Sequence, residues 1–241
     1  MRKKNKILAT IYESLFRNYG PQGWWPITLK RNNPPKKTDG MGYHPGDYAY
    51  PKNENQALEI CLGAILTQNT NWNNVLSALK RLDEEMGISV NNLLEIPQDQ
   101  LALFIKSAGY FNQKADYLKN FIRFIHENPY NELKNKEAGF LREELIKIKG
   151  IGEETADSIL LYAFKKPSFV IDAYTKRILI HLGLITSKTK YACAKKLFES
   201  ALEPDVALYQ EYHALIVKHG KMYYSKKPYG LNDPILTSGI N

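Results

Sequence analysis

Cysteine is scarce in this 241-residue chain: Cys61 and Cys193 are the whole complement. Two thiols cannot build a disulfide framework or supply a four-cysteine metal site. Long apolar runs are missing too, and no stretch approaches the length needed to cross a bilayer. Near the start, Met1-Arg2-Lys3-Lys4 is basic, but Ile7-Leu8-Ala9 gives way to Tyr12-Glu13-Ser14 before a sustained hydrophobic core forms, so no export signal is expected. These absences predict a soluble, intracellular chain with no membrane association. Acidic residues are outnumbered, 25 against 33 Lys and Arg, for a net charge of +8 and a pI near 9.2. The basic residues are scattered rather than gathered in a tail, which suits a folded surface that meets a polyanion.

What the chain does have is concentrated between Leu141 and Asp172. Leu141, Leu145 and Ile148 fall at i, i+4 and i+7, and Ala156, Ile159, Leu160 and Ala163 at i, i+3, i+4 and i+7, so each flank predicts an amphipathic helix. Between them lies Lys149-Gly150-Ile151-Gly152. The glycines allow a sharp turn and close approach to the loop amides, and a helix starting at about Glu153 aims its free N–H groups at the same place. Together these elements predict a phosphate grip, although glycines at an ordinary C-cap would leave a similar local pattern. The continuation adds weight. Lys165-Lys166-Pro167 and an apolar run, Ser168 to Ile171, lead to Asp172, just ahead of the helix-compatible Ala173 to Leu179.

With Asp172 lying 172 − 150 = 22 positions after the first hairpin glycine, the chain resembles the helix-hairpin-helix DNA glycosylases, the relatives of endonuclease III. The resemblance implies an all-α fold of two helical domains flanking a DNA-binding cleft. Residues 56–166 would form a six-helix barrel domain ending in the hairpin. Residues 1–55 and 167–241 would form the second domain, with an irregular insertion at about 27–55. Asp172 would be the catalytic residue, a role compatible with the plain helix N-cap that its position also suggests.

Other segments fit the same frame. Lys6 to Tyr19 predicts a helix stopped at Gly20-Pro21, and further helices are expected from about Thr189 to Leu202 and from Asp205 to His219, with Gly220 as stop. Leu58, Cys61, Leu62, Ile65 and Leu66 predict a strongly buried helix, followed by Thr67-Gln68-Asn69-Thr70-Asn71. This run could simply cap its two helices. By resemblance it is the turn that inserts an amide into the duplex, Gln68 filling the space of an extruded nucleotide with Asn69 beside it. Gly109-Tyr110-Phe111-Asn112-Gln113-Lys114-Ala115 resembles the second wedge loop, with Tyr110 entering the opposite strand's stack; a core tyrosine at a helix junction is the alternative. Lys149, Gly150, Gly152 and Thr155 would meet DNA at the hairpin.

Many relatives hold an iron–sulfur cluster with Cys-x6-Cys-x2-Cys followed by proline. Tyr223, Gly230 and Asp233 occupy those positions here, so no cluster and no metal are expected; a monovalent cation at the hairpin is left open. Bifunctional relatives place a Schiff-base lysine two residues after the second hairpin glycine. Glu154 stands there and cannot form an imine, which predicts a monofunctional enzyme without AP lyase activity. The resemblance narrows to the 3-methyladenine glycosylase branch through Trp24-Trp25-Pro26, the Leu66 to Trp72 turn, and Glu154 in the hairpin. Trp24, Trp25, Pro26, Trp72 and Glu154 would line the base pocket, although adjacent tryptophans point different ways and core packing is an alternative. The long 27–55 segment could add Tyr43, His44 or Tyr48.

The reading is base-excision repair of damaged double-stranded DNA by a monomeric cytoplasmic protein, nucleoid-associated if prokaryotic. N-alkylated purines such as 3-methyladenine are the expected substrates. Three alternatives stand beside it: a glycosylase for 8-oxoguanine, uracil or a mismatched base, a non-catalytic DNA-structure binder, and a helical protein-interaction module, which would show no salt-dependent DNA affinity.

Overall fold

The computed structural model describes residues 2–35 and 41–236, and among them regular structure is entirely helical. In chain order the helices are α1 (Arg2–Tyr19), α2 (Glu54–Leu66), α3 (Trp72–Met86), α4 (Val90–Glu95), α5 (Gln98–Phe104), α6 (Phe111–Glu127), α7 (Tyr130–Lys134), α8 (Ala138–Lys147), α9 (Glu153–Ser158), α10 (Ala173–His181), α11 (Tyr191–Glu199) and α12 (Val206–Tyr223). Short 3-10 turns occupy Lys30–Asn32 and Lys106–Ala108, and α9 runs on as a π-helical turn, Ile159–Ala163. None of the helices is long and apolar enough to cross a membrane.

The chain forms two compact units. One comprises Trp25–Tyr43 and Ala49–Lys166, the other Met1–Trp24, His44–Tyr48 and Pro167–Asn241.

The first unit is built around α2, which is buried from Gln56 to Leu66 and packs against α3, α6 and the π-helical turn. A helix apolar on every side belongs in the middle of a bundle rather than on its surface. α2 also buries two polar residues, Gln56 and Glu59, the latter only 1% exposed. One carboxylate oxygen accepts from Thr28 N (2.6 Å), Thr28 Oγ1 (2.7 Å) and Leu29 N (3.1 Å), the other from Asn32 Nδ2 (2.7 Å). A buried carboxylate needs donors of this kind. They tie residues 28–32 to α2, so 25–43 and 49–55 belong with the hairpin-bearing unit and not, as expected, with the terminal segments. Residues 36–40 of that segment lie outside the described residues.

In the second unit α12 packs against α1 and α10. Phe169 stacks on Phe198 with centroids 3.9 Å apart, and the Tyr212 hydroxyl donates to the Leu8 carbonyl at 2.7 Å. Two helix bounds differ from expectation. α11 is shorter than the expected Thr189–Leu202, and Gly220 does not stop α12, which runs on to Tyr223. A Cβ on Gly220 would lie 2.5 Å from Tyr174 of α10, so the glycine is there for helix contact.

The C-terminal segment is held by a buried polar chain. The Tyr19 hydroxyl meets His219 Nδ1 at 2.8 Å, and His219 Nε2 meets Asp233 Oδ2 at 2.7 Å. Tyr224 donates to the same oxygen at 2.8 Å, and Ile235 N and Leu236 N donate to Oδ1. Asp233 stands where the third cluster cysteine would be, and its carboxylate is committed to these bonds. With Tyr223 and Gly230 at the other two positions, the residues present do not fit an iron–sulfur cluster.

Candidate nucleic-acid interface and catalytic carboxylate

The hairpin joins α8 and α9. Arg142 of α8 clamps the buried Asp157 of α9 through Nε (2.7 Å) and Nη2 (3.1 Å), fixing the two arms against each other. Gly150 has φ of +100°, and a Cβ there would lie 2.1 Å from the Tyr117 ring. The space that this glycine frees is therefore filled by the protein's own tyrosine. Gly152 is different: it is exposed, nothing lies within 4 Å of its Cβ position, and it caps α9 without a side-chain bond. The open approach to the loop amides is at Gly152.

Lys149 is exposed, but its ammonium is held by Asp116 at 2.8 Å, and this hydrogen bond raises its pKa. A phosphate at Lys149 would compete with that carboxylate. Glu154 is exposed at the start of α9, whereas Thr155 is buried and its hydroxyl accepts from Gln68 Nε2 at 3.2 Å. Gln68 Nε2 also donates to the Gly150 carbonyl at 3.0 Å. The expected wedge amide thus rests on the hairpin. Asn69 beside it is exposed with φ of +54°, and Asn71 caps α3 by accepting from Asn74 N.

Tyr110 is 66% exposed with φ of +47°, an uncommon backbone for a bulky residue. A strained loop residue presenting a large ring to solvent is not core packing, so the core alternative does not hold for Tyr110.

The adjacent tryptophans part company, as their adjacency implied. Trp25 is 6% exposed and sits edge-on to Trp72 (5.6 Å) and Tyr162 (5.3 Å), with Pro26 also buried. A Cβ on Gly63 would come within 3.1 Å of Trp25 and 3.5 Å of Trp72, so a glycine in α2 makes room for this aromatic group. Trp72 is half-buried, and its indole N–H is buried with no hydrogen-bond partner among the described residues. Trp24 belongs to the other unit, edge-on to His213 at 6.0 Å.

Asp172 is in that same unit. It is half-buried and caps α10, its Oδ1 accepting from Thr175 N and Thr175 Oγ1, each at 2.7 Å. Its second oxygen has no hydrogen bond among the described residues. Two neighbours escaped the sequence reading. His213 is buried, which pushes its pKa down while the Asp172 charge opposes. Lys221 lies 5.7 Å from the Trp24 ring centroid; although the residue is exposed, surrounding protein and Lys218 lower its pKa, again with Asp172 opposing. Only the apolar stripe of α12 hinted at His213, and nothing marked Lys221. His44 makes a turn bond to the Asp47 carbonyl, and Tyr48 donates to Glu211. No group of three or more His, Cys, Asp or Glu among the described residues is placed to hold a metal.

An all-helical chain with a clamped glycine hairpin, two loops bearing an amide and an exposed aromatic, and a capped aspartate 22 residues on has the architecture of a helix-hairpin-helix DNA repair enzyme. The comparisons agree: the chain belongs to the HhH-GPD superfamily of base excision DNA repair proteins, whose model matches residues 62–204. It is 41% identical over 239 residues to MJ1434 of Methanocaldococcus jannaschii, assigned as a DNA repair glycosylase, covering 97% of this chain and 96% of that one. It is 32% identical over 170 residues to endonuclease III of Sulfolobus acidocaldarius, covering 69% and 74% of the two chains. Among solved structures it matches the H. pylori 3-methyladenine DNA glycosylase MagIII bound to 1,N6-ethenoadenine, with TM-score 0.68, 27% identity, and coverage of 91% and 97%. The protein is a base-excision-repair DNA glycosylase.

Proposed function

We propose that this glycosylase releases N-alkylated purines from double-stranded DNA by hydrolysis, with Asp172 as the catalytic carboxylate. The observation that carries this reading is the division of labour at Asp172: Oδ1 is fixed by Thr175, leaving Oδ2 for chemistry. As the C1′–N bond breaks, the base takes the bonding pair and the sugar becomes oxocarbenium-like. A carboxylate beside it stabilises that charge, and it accepts a proton from the water that attacks C1′. With Glu154 in the lysine position, base release does not pass through an imine. Tyr110 and Gln68 act on the two strands as the nucleotide is extruded, and Gly152 presents its loop amides to a phosphate. The chain acts as a cytoplasmic monomer without a cluster.

The substrate class rests on the aromatic residues Trp24 in one unit and Trp25 and Trp72 in the other, and on the likeness to MagIII, whose structure holds 1,N6-ethenoadenine. Stacking a cationic alkylated base on an indole ring would contribute about 1–2 kcal/mol when desolvated. One observation favours a second reading, an uncharged lesion such as 8-oxoguanine, uracil or a mismatched base: the Trp24 ring already carries the Lys221 ammonium. The deciding experiment is single-turnover base release from duplexes carrying 3-methyladenine, 7-methylguanine, 1,N6-ethenoadenine, hypoxanthine, 8-oxoguanine or uracil, each with and without alkali. Release of alkylated purines with alkali-dependent breaks is expected. Preference for a non-alkylated base refutes the pocket assignment, and breaks without alkali refute the hydrolytic one.

A further inference from the structure

Lys114 lies in the first turn of α6, where a helix's positive end disfavours a cation. It is nevertheless buried, 2% exposed, and its ammonium donates to two acceptors among the described residues, the Leu66 carbonyl at 2.7 Å and the Ala108 carbonyl at 2.8 Å. Leu66 is the last residue of α2 and Ala108 the last of the Lys106–Ala108 turn. One side chain therefore caps two C-termini that are 42 residues apart in sequence (108 − 66). Each capped carbonyl lies two residues before a candidate wedge: Gln68 follows Leu66 and Tyr110 follows Ala108. The Lys114 N–H also bonds the Tyr110 carbonyl at 2.9 Å.

We propose that Lys114 is a positioning residue that sets the spacing of the Gln68 and Tyr110 loops, so that both side chains enter the duplex together. The inference rests on the wedge roles given above. A buried ammonium is costly, and burial pushes the Lys114 pKa down to about 8, so an apolar side chain would suit this place better if packing were its only task. α6 supplies its own control. Lys119, also buried, caps α4 by donating to the carbonyls of Leu93 (2.9 Å), Leu94 (2.8 Å) and Ile96. That lysine touches neither loop.

The test is a mutant cycle read as affinity for a duplex containing a tetrahydrofuran abasic analogue, with melting temperatures measured alongside. Lys114→Met is expected to weaken binding roughly 10-fold, and Gln68→Ala with Tyr110→Ala roughly 30-fold. Adding Lys114→Met to the doubly truncated protein should change little, because residues acting through one another are not additive. Lys119→Met should lower the melting temperature without coupling to the wedges. Lys114→Gln, whose amide can reach one carbonyl, gives the same cycle if the methionine variant does not fold. Full additivity of Lys114 with the wedge truncations, or equal coupling at Lys119, overturns the inference. If the two truncations by themselves leave binding unchanged, the wedge reading fails and takes this inference with it, which separates the two failures.

Discussion

Replacing Asp172 by asparagine should separate the two things its carboxylate does. Asparagine keeps an oxygen where Oδ1 accepts from Thr175 N and Oγ1, and it is as good an N-cap as aspartate, so stability should fall by less than about 1 kcal/mol. The charge, however, is gone. A carboxylate about 4 Å from the developing oxocarbenium charge, at an effective dielectric of about 20, contributes about 4 kcal/mol, which corresponds to roughly a thousandfold in rate. Asp172→Ala should lose the same rate and also about 1 kcal/mol of cap energy. Thr175→Val removes one of the two bonds to Oδ1 but keeps the carboxylate, and should slow base release no more than about tenfold. Single-turnover rates and urea melts on the four proteins would check this. The reasoning is refuted if Asp172→Asn retains excision within tenfold of the parent, or if it is as destabilised as Asp172→Ala.

Three further outcomes follow from the packing. Glu59→Ala strands four buried donors and should cost about 4 kcal/mol in denaturant unfolding; Glu59→Gln should cost only about 1–2 kcal/mol, because turning the Asn32 amide would give its buried, unpartnered oxygen a donor. Equal losses would contradict this account. Gly150→Ala should destabilise by about 2–3 kcal/mol, from positive φ and the clash with Tyr117, and Tyr117→Ala in the same chain should restore part of the loss in thermal melts. For Asp233, burial by itself would raise the pKa, but hydrogen bonds from His219, Leu236 N and Tyr224 hold it down to about 2. A depressed carboxylate stabilises the fold above its unfolded pKa, so about 2 kcal/mol should be lost as pH falls from about 4 to about 2. Acid titration of Asp233→Asn should lack that step.

Much of the fold was legible because helix period and capping are local. The hairpin arms, the start of α9 at Glu153 and the cap at Asp172 follow from spacings within a few turns, and each lies where it was expected. The divergence of Trp24 and Trp25 also followed from adjacency. Gly220 was misread because, in sequence, a glycine that ends a helix and one that admits a neighbour look alike; only Tyr174 distinguishes them. Gly150 is a similar case, with Tyr117 in the space that was expected to receive a ligand.

The sequence by itself determined the helical class, the family and the place of Asp172 as a helix cap, since these rest on residue type and short spacing. Tertiary structure decided which groups are spare and which are committed. Thr155 faces Gln68, Lys149 is held by Asp116, Asp233 is locked with His219, and Lys114 reaches two loops. Those commitments join positions that the chain holds far apart, and they arise because a buried polar group must find its partner wherever the packed interior places one.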